Sequence, residues 1–218
     1  MTVTLVFFAT LMATIVWWLI RQTADVQPWV ADGDSRGLAN TDHLHTSSIK
    51  VGLGVFLLVA ASLFALFISA YMIRMEAGDW KMLDDPQILW ANTAVLVIAS
   101  LFFQRSYNAA QKQRFASMRN ALLLAGVFTL VFLVGQLKAW QQLSAAGSYL
   151  SSNPANAFFY LFTAVHGLHL IGGLWVWGKA ALSFGDAQSI RQRVELCTVY
   201  WHFLLVIWLI LFTLLLNT

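Results

Sequence analysis

The chain has 218 residues, of which 59% are hydrophobic, 14% aromatic and 11% charged, with a mean hydropathy of +0.69. That balance excludes a soluble domain and marks an integral membrane protein. The formal net charge of +3 is small and spread over the loops, which excludes a nucleic-acid surface, and the single cysteine, Cys197, excludes an intrachain disulfide or a thiolate cluster.

Six apolar runs are predicted to span the membrane as helices, at about 3–20, 49–73, 88–104, 119–140, 157–179 and 196–216. A hydrocarbon core takes about 20 helical residues to cross. The runs are continuous, whereas a membrane barrel would show alternating segments of about ten residues; the expected fold class is therefore all-α, a polytopic bundle of six helices. The first run has no Lys or Arg ahead of it, and Trp17-Trp18 and Arg21 follow it. A retained anchor with an aromatic belt at its inner end fits this better than a cleaved signal peptide.

The polar stretch 21–48 contains Pro28, Gly33, Gly37 and four aspartates, without helical periodicity, and reads as a connector. The expected organisation is residues 1–48 as a peripheral helix with its connector and 49–218 as a five-helix core. His43 and His45 close the connector as solvated loop histidines. The segment 74–87 carries Glu76, Asp79, Asp84 and Asp85 against Arg74 and Lys81; an acidic surface of this kind could attract a cationic soluble protein such as a cytochrome. The segment 104–119 is predicted to extend the third run and bend back into the fourth, with its basic residues by anionic headgroups.

Loop charge sets the orientation. Arg21, Arg36, Lys50, Arg105, Lys112, Arg114, Arg119, Lys179, Arg191 and Arg193 follow the odd-numbered runs, and only Arg74, Lys81 and Lys138 lie on the other side, ten against three. The positive-inside rule then puts both termini outside.

Candidate functional residues gather in the last two runs. His166 and His169 are three residues apart and share one helix face with Thr163 and Gly173; His202 lies in the final run. Ionisable side chains within a span face protein and mark packing or function. Haem ligation would need His202 opposite His166 or His169, and no acidic, Cys or Met cluster accompanies them. The expected arrangement is a structural polar cluster of Gln136, Thr163, His166, His169, Trp201 and His202, in which neutral imidazoles bond across helix interfaces. No catalytic, metal or cofactor-binding residue is expected. Gly167, Gly172, Gly173 and Gly178 allow close approach to the fifth run. Trp175, Trp177, Trp201 and Trp208 add large contact areas, and Trp201 needs an indole acceptor if buried.

Phe158-Phe159, Thr163 and His166-Gly167-Leu168-His169, followed by Tyr200-Trp201-His202-Phe203 and Trp208, closely resemble the last two helices of subunit III of haem–copper oxidases. Those helices carry Phe-Phe…His-Gly-Leu-His and Trp-His-Phe-Val-Asp-Val-Val-Trp. Gln136 ahead of Trp140 resembles the family's Gln-x-x-Glu-Tyr segment, and Ala70-Tyr71 the end of its first core helix, so that the resemblance covers about 50–217. Seven-helix members have an outward carboxyl end, and one helix fewer at the amino end would place that terminus outside as well. Three intramembrane carboxylates of the family are replaced here by Ala60, Ala139 and Leu205, which marks a divergent branch and removes any role needing a titrating carboxylate.

The resemblance implies a non-catalytic, metal-free accessory subunit of a respiratory haem–copper terminal oxidase in a bacterial inner membrane. It implies subunit I and subunit II as partners, haem and copper held by the partner, and structural phospholipid in a cleft between the first helix and the core. An accessory subunit associated with nitric oxide reductase is the alternative within the family. A small transporter would need a polar pathway that these spans barely offer, and a free-standing haem b cytochrome would need the bis-histidine pair.

Overall fold

The computed structural model describes residues 41–77, 80, 87–150, 152–182 and 187–216, with side chains from Ile49 onward except those of Ala187 and Gln188. The first apolar run, most of the connector with His43 and His45 as side chains, and most of the acidic segment lie outside the described residues. Residues 50–218 form one unit, and the packing below is theirs.

Every described element is helical: α1 is Thr41–Met75, α2 Ile88–Gln111, α3 Phe115–Ala145, α4 Pro154–Leu182 and α5 Ala187–Leu216. All five are long and apolar enough to cross a membrane, so the chain is an all-α, polytopic membrane helix bundle. Each helix runs past the apolar segment that predicts it, α1 beginning at Thr41 and α5 at Ala187. Backbone groups near hydrocarbon must be paired internally, and extending the helix into the polar interface satisfies them.

The turn between α2 and α3 is tight, as expected, and its geometry explains why. Arg114 N–H donates to Ala109 O at 3.0 Å and Gln113 N–H to Ala110 O at 3.1 Å, with Gln113 left-handed at φ 55; this is a Schellman closure. Helix α3 ends the same way, on Gly147 at φ 82, with Ser148 N–H on Leu143 O at 2.9 Å.

Helices α2 to α5 close a ring in which α2 packs on α3, α3 on α4, α4 on α5 and α5 on α2. Two indoles on α5 fill its centre. Trp201 lies against Phe103 of α2 with ring centroids 4.2 Å apart, and Trp208 meets Phe132 of α3 edge-on at 5.0 Å. Helix α1 packs outside the ring through aromatic rings: Phe64 reaches His166 and His169, and Tyr71 reaches Phe158 and Phe162. Ala60 and Ala139 are buried, and Leu205 is half-buried.

Small residues matter where indoles and amides press against a backbone. A methyl on Gly126 would overlap the ring of Trp177, one on Gly135 would overlap Asn92, and one on Gly173 would come within 2.6 Å of Tyr200 and 2.9 Å of Trp201. Of the four glycines expected to permit close approach, Gly173 does so. Gly172 and Gly178 face open space, and Gly167 meets only Leu133, at 3.9 Å.

Candidate functional site

A transmembrane helix satisfies its own backbone, so polar side chains inside it need partners from other side chains or from carbonyls. Serine and threonine can donate to the carbonyl four residues back while keeping a lone pair free. Thr93, Thr129 and Thr163 do this, at 2.8, 2.9 and 2.7 Å. Each then accepts an indole N–H from another helix: Trp208 donates to Thr93 at 3.0 Å, Trp201 to Thr129 at 3.0 Å and Trp140 to Thr163 at 2.9 Å. Helices α5 and α2, α5 and α3, and α3 and α4 are thereby linked. A fourth indole, Trp177 of α4, donates to Leu122 O of α3 at 2.8 Å.

Gln136 accepts at its Oε1 from Asn92 Nδ2, at 2.9 Å, and the same Asn92 amide donates to Phe132 O at 3.1 Å. Asn92 is buried on α2. The Nε2 of Gln136 meets no acceptor among the described residues.

The histidines behave differently from one another. His166 is fully buried, and neither ring nitrogen meets a hydrogen-bonding atom among the described residues; rings surround it, with Phe64 at 6.5 Å, Phe132 at 6.0 Å and Trp208 at 5.2 Å. His169 donates from Nδ1 to Val165 O at 2.8 Å, and His202 from Nδ1 to Thr198 O at 2.7 Å. A carbonyl only accepts, so in both rings Nδ1 is the donor. These bonds run within one helix, not across an interface as expected. An i−4 carbonyl is within reach of a helical imidazole in the rotamer that points back along the helix, whereas a partner on another helix has to be placed by packing.

The six residues expected as one polar cluster make no hydrogen bond to one another in the described structure. Thr163 pairs with Trp140, Trp201 with Thr129 and Gln136 with Asn92, while the three histidines do not bond to one another. Asn92, Thr93, Thr129 and Trp140 complete the network as bonded partners. The available signal for Thr93 and Thr129 was a hydroxyl inside an apolar run, which does not say which indole it meets.

Among the described residues the three histidines meet different neighbouring groups. His166 touches Trp208, and Tyr200 donates to His169 O at 2.8 Å, whereas His202 projects from another side of α5 than either ring. Among the described residues no three His, Cys, Asp or Glu side chains converge.

A model of the family described as cytochrome c oxidase subunit III matches residues 1–217. A probable cytochrome c oxidase subunit 3 of Mycobacterium tuberculosis is 30% identical over 194 residues, covering 81% of this chain and 93% of that protein. A cytochrome c oxidase subunit 3 of Thermostichus vulcanus is 30% identical over 182 residues, 79% and 89% of the two chains. A cytochrome bo(3) ubiquinol oxidase subunit 3 of Buchnera aphidicola is 24% identical over 179 residues, 79% and 87%. With the family model spanning residues 1–217 and relatives at 30% identity covering most of its length, this ring of membrane helices belongs to the cytochrome c oxidase subunit III family.

Proposed function

We propose that the chain is the accessory subunit III of a respiratory haem–copper terminal oxidase, and that it stabilises a catalytic subunit that reduces oxygen. The observation that carries this is the family match over residues 1–217; the similar proteins bear the names of cytochrome c and ubiquinol oxidase subunits, which favours oxygen over nitric oxide as the substrate of the complex. The chain is a multi-pass protein of the bacterial inner membrane. Subunit I would hold the haems and copper, with subunit II beside it.

The proposed organisation has six helices with both termini outside, residues 1–48 forming a peripheral helix and connector and 49–218 the core, and structural phospholipid is proposed as its lipid ligand. Gln136, Thr163, His166, His169, Trp201 and His202 are proposed as packing residues and not as ligands. The hydrogen bonds of Gln136, Thr163 and Trp201 link α2, α3, α4 and α5, and a fixed apolar surface is what a neighbouring subunit needs.

An affinity-tagged chain extracted in mild detergent is expected to bring down a haem–copper catalytic subunit, with a Soret band that stays with the partner when the two are separated. A chain that purifies alone from membranes containing assembled oxidase would overturn this.

A further inference from the structure

Within the apolar runs, and among the described residues, two side chains keep buried hydrogen-bonding atoms without a partner: both ring nitrogens of His166 on α4, and Nε2 of Gln136 on α3. His166 is 0% exposed and Gln136 6%. Leaving such an atom unpaired costs the full desolvation of the group, and lipid tails have nothing to bond it with.

The packing of α3 against α4 puts these atoms at one level. The two helices run antiparallel, since Trp140 bonds to Thr163 at 2.9 Å and Ser144, one turn later on α3, lies 3.2 Å from Tyr160, one turn earlier on α4. The next rung in the other direction is Gln136, one turn before Trp140, opposite His166, one turn after Thr163. Phe132, a further turn along the Gln136 stripe, agrees with this register. Its ring meets His166 at 6.0 Å, and its carbonyl accepts from the same Asn92 amide that bonds to Gln136.

Other contacts hold both groups in place. The Gln136 amide is tied through Oε1 to Asn92 at 2.9 Å, and the imidazole is clamped between Phe64, Phe132 and Trp208. A neutral imidazole has one nitrogen that donates and one that accepts. What completes the rung must therefore accept from an amide N–H and donate to a ring nitrogen. Water has both functions. An ion would need a buried counter-charge, and among the described residues no acid, lysine or arginine is buried. Gly167, next to His166, leaves room on this seam: a methyl there would meet only Leu133, at 3.9 Å. The seam also stays polar toward its end, through Thr163, Ser144 and Tyr160, whose hydroxyl donates to Ser148 O at 3.1 Å.

We infer that Gln136 and His166 form a binding site for water inside the bundle, one molecule accepting from Gln136 Nε2 and donating to the unprotonated nitrogen of His166, reached along the α3–α4 seam from the end at Ser148. The other ring nitrogen carries the proton and is left to the aromatic rings around it, whose faces accept weakly. The site calls on no partner subunit, so it goes beyond the accessory role and stands apart from it.

The test is a water-edited solid-state NMR measurement on the full chain, with isotope-labelled histidine, glutamine and tryptophan, in bilayers whose acyl chains are deuterated. Magnetisation starting on water protons is expected to reach a ring nitrogen of His166 and Nε2 of Gln136 at short mixing times, the His166 signals being identified by their loss in His166→Phe. In Gln136→Met, which keeps the volume and removes the donor, transfer to His166 is expected to be lost, while the Trp140 indole signal stays in place and reports that the neighbouring rung is intact. A His166 ring that receives nothing from water in the unsubstituted chain would overturn the inference, and that measurement stands by itself should the variant not fold. A nitrogen–nitrogen coupling between Gln136 and His166, the mark of a direct bond, would overturn it too, as would undiminished transfer in Gln136→Met.

Discussion

The indole–threonine pairs carry the specificity of this bundle at the level of single residues. Lipid tails are as apolar as leucine, so burial alone does not tell one helix which neighbour to take. A tryptophan N–H has to find an acceptor when buried, and Thr93, Thr129 and Thr163 each provide one on a different helix from its indole. A double-mutant cycle on Thr93→Val and Trp208→Phe, followed by denaturant titration in micelles, is expected to return a coupling of about 0.6–1.7 kcal/mol. A coupling indistinguishable from zero would mean that ring packing alone places Trp208. The sequence marks both residues as polar atoms in apolar runs but cannot pair them, since they are 115 positions apart. It also gives no means of telling Trp177, bonded to α3, from Trp175, which is 71% exposed under Lys179.

Helix ends decide how the elements connect. The closures after α2 and α3 have the same hydrogen-bond pattern but different residues at the left-handed position, Gln113 and Gly147. A side chain there costs roughly 1–2 kcal/mol, offset in part by the extra freedom glycine has in the unfolded chain. Gly147→Ala is therefore expected to cost about 1 kcal/mol and Gln113→Gly to gain about 0.5 kcal/mol, measured as opposite shifts in thermal unfolding in detergent. Shifts of the same sign would show that loop contacts outweigh backbone conformation. The helices themselves were legible in the sequence as long apolar runs. Their ends were not, because apolarity reports the hydrocarbon boundary and the hydrogen-bonded helix continues past it.

For the whole molecule, the four-helix ring and the outer α1 present different surfaces. In its most apolar window α1 is only 11% buried within the chain, against 33–39% for the other spans, so it has the most side-chain surface left for lipid or a partner. Orientation also belongs at this scale. Ten basic residues against three predict an outward carboxyl terminus, so alkaline phosphatase fused after Thr218 is expected to be active and the same enzyme fused at Gln113 inactive. The reverse pattern would invert the proposed topology.

Apolar run length and loop charge determined by themselves that this chain is a helical membrane protein, and the His-Gly-Leu-His and Tyr-Trp-His-Phe strings pointed to its family. These properties depend on local composition and on order along the chain. Only the tertiary structure decided that Trp201 and Trp208 fill the centre of the ring, that Gln136 pairs with Asn92, and that His169 and His202 bond within their own helices. Side-chain partners in a bundle are set by rotation and depth of one helix against another, and small differences in packing between distant segments fix both.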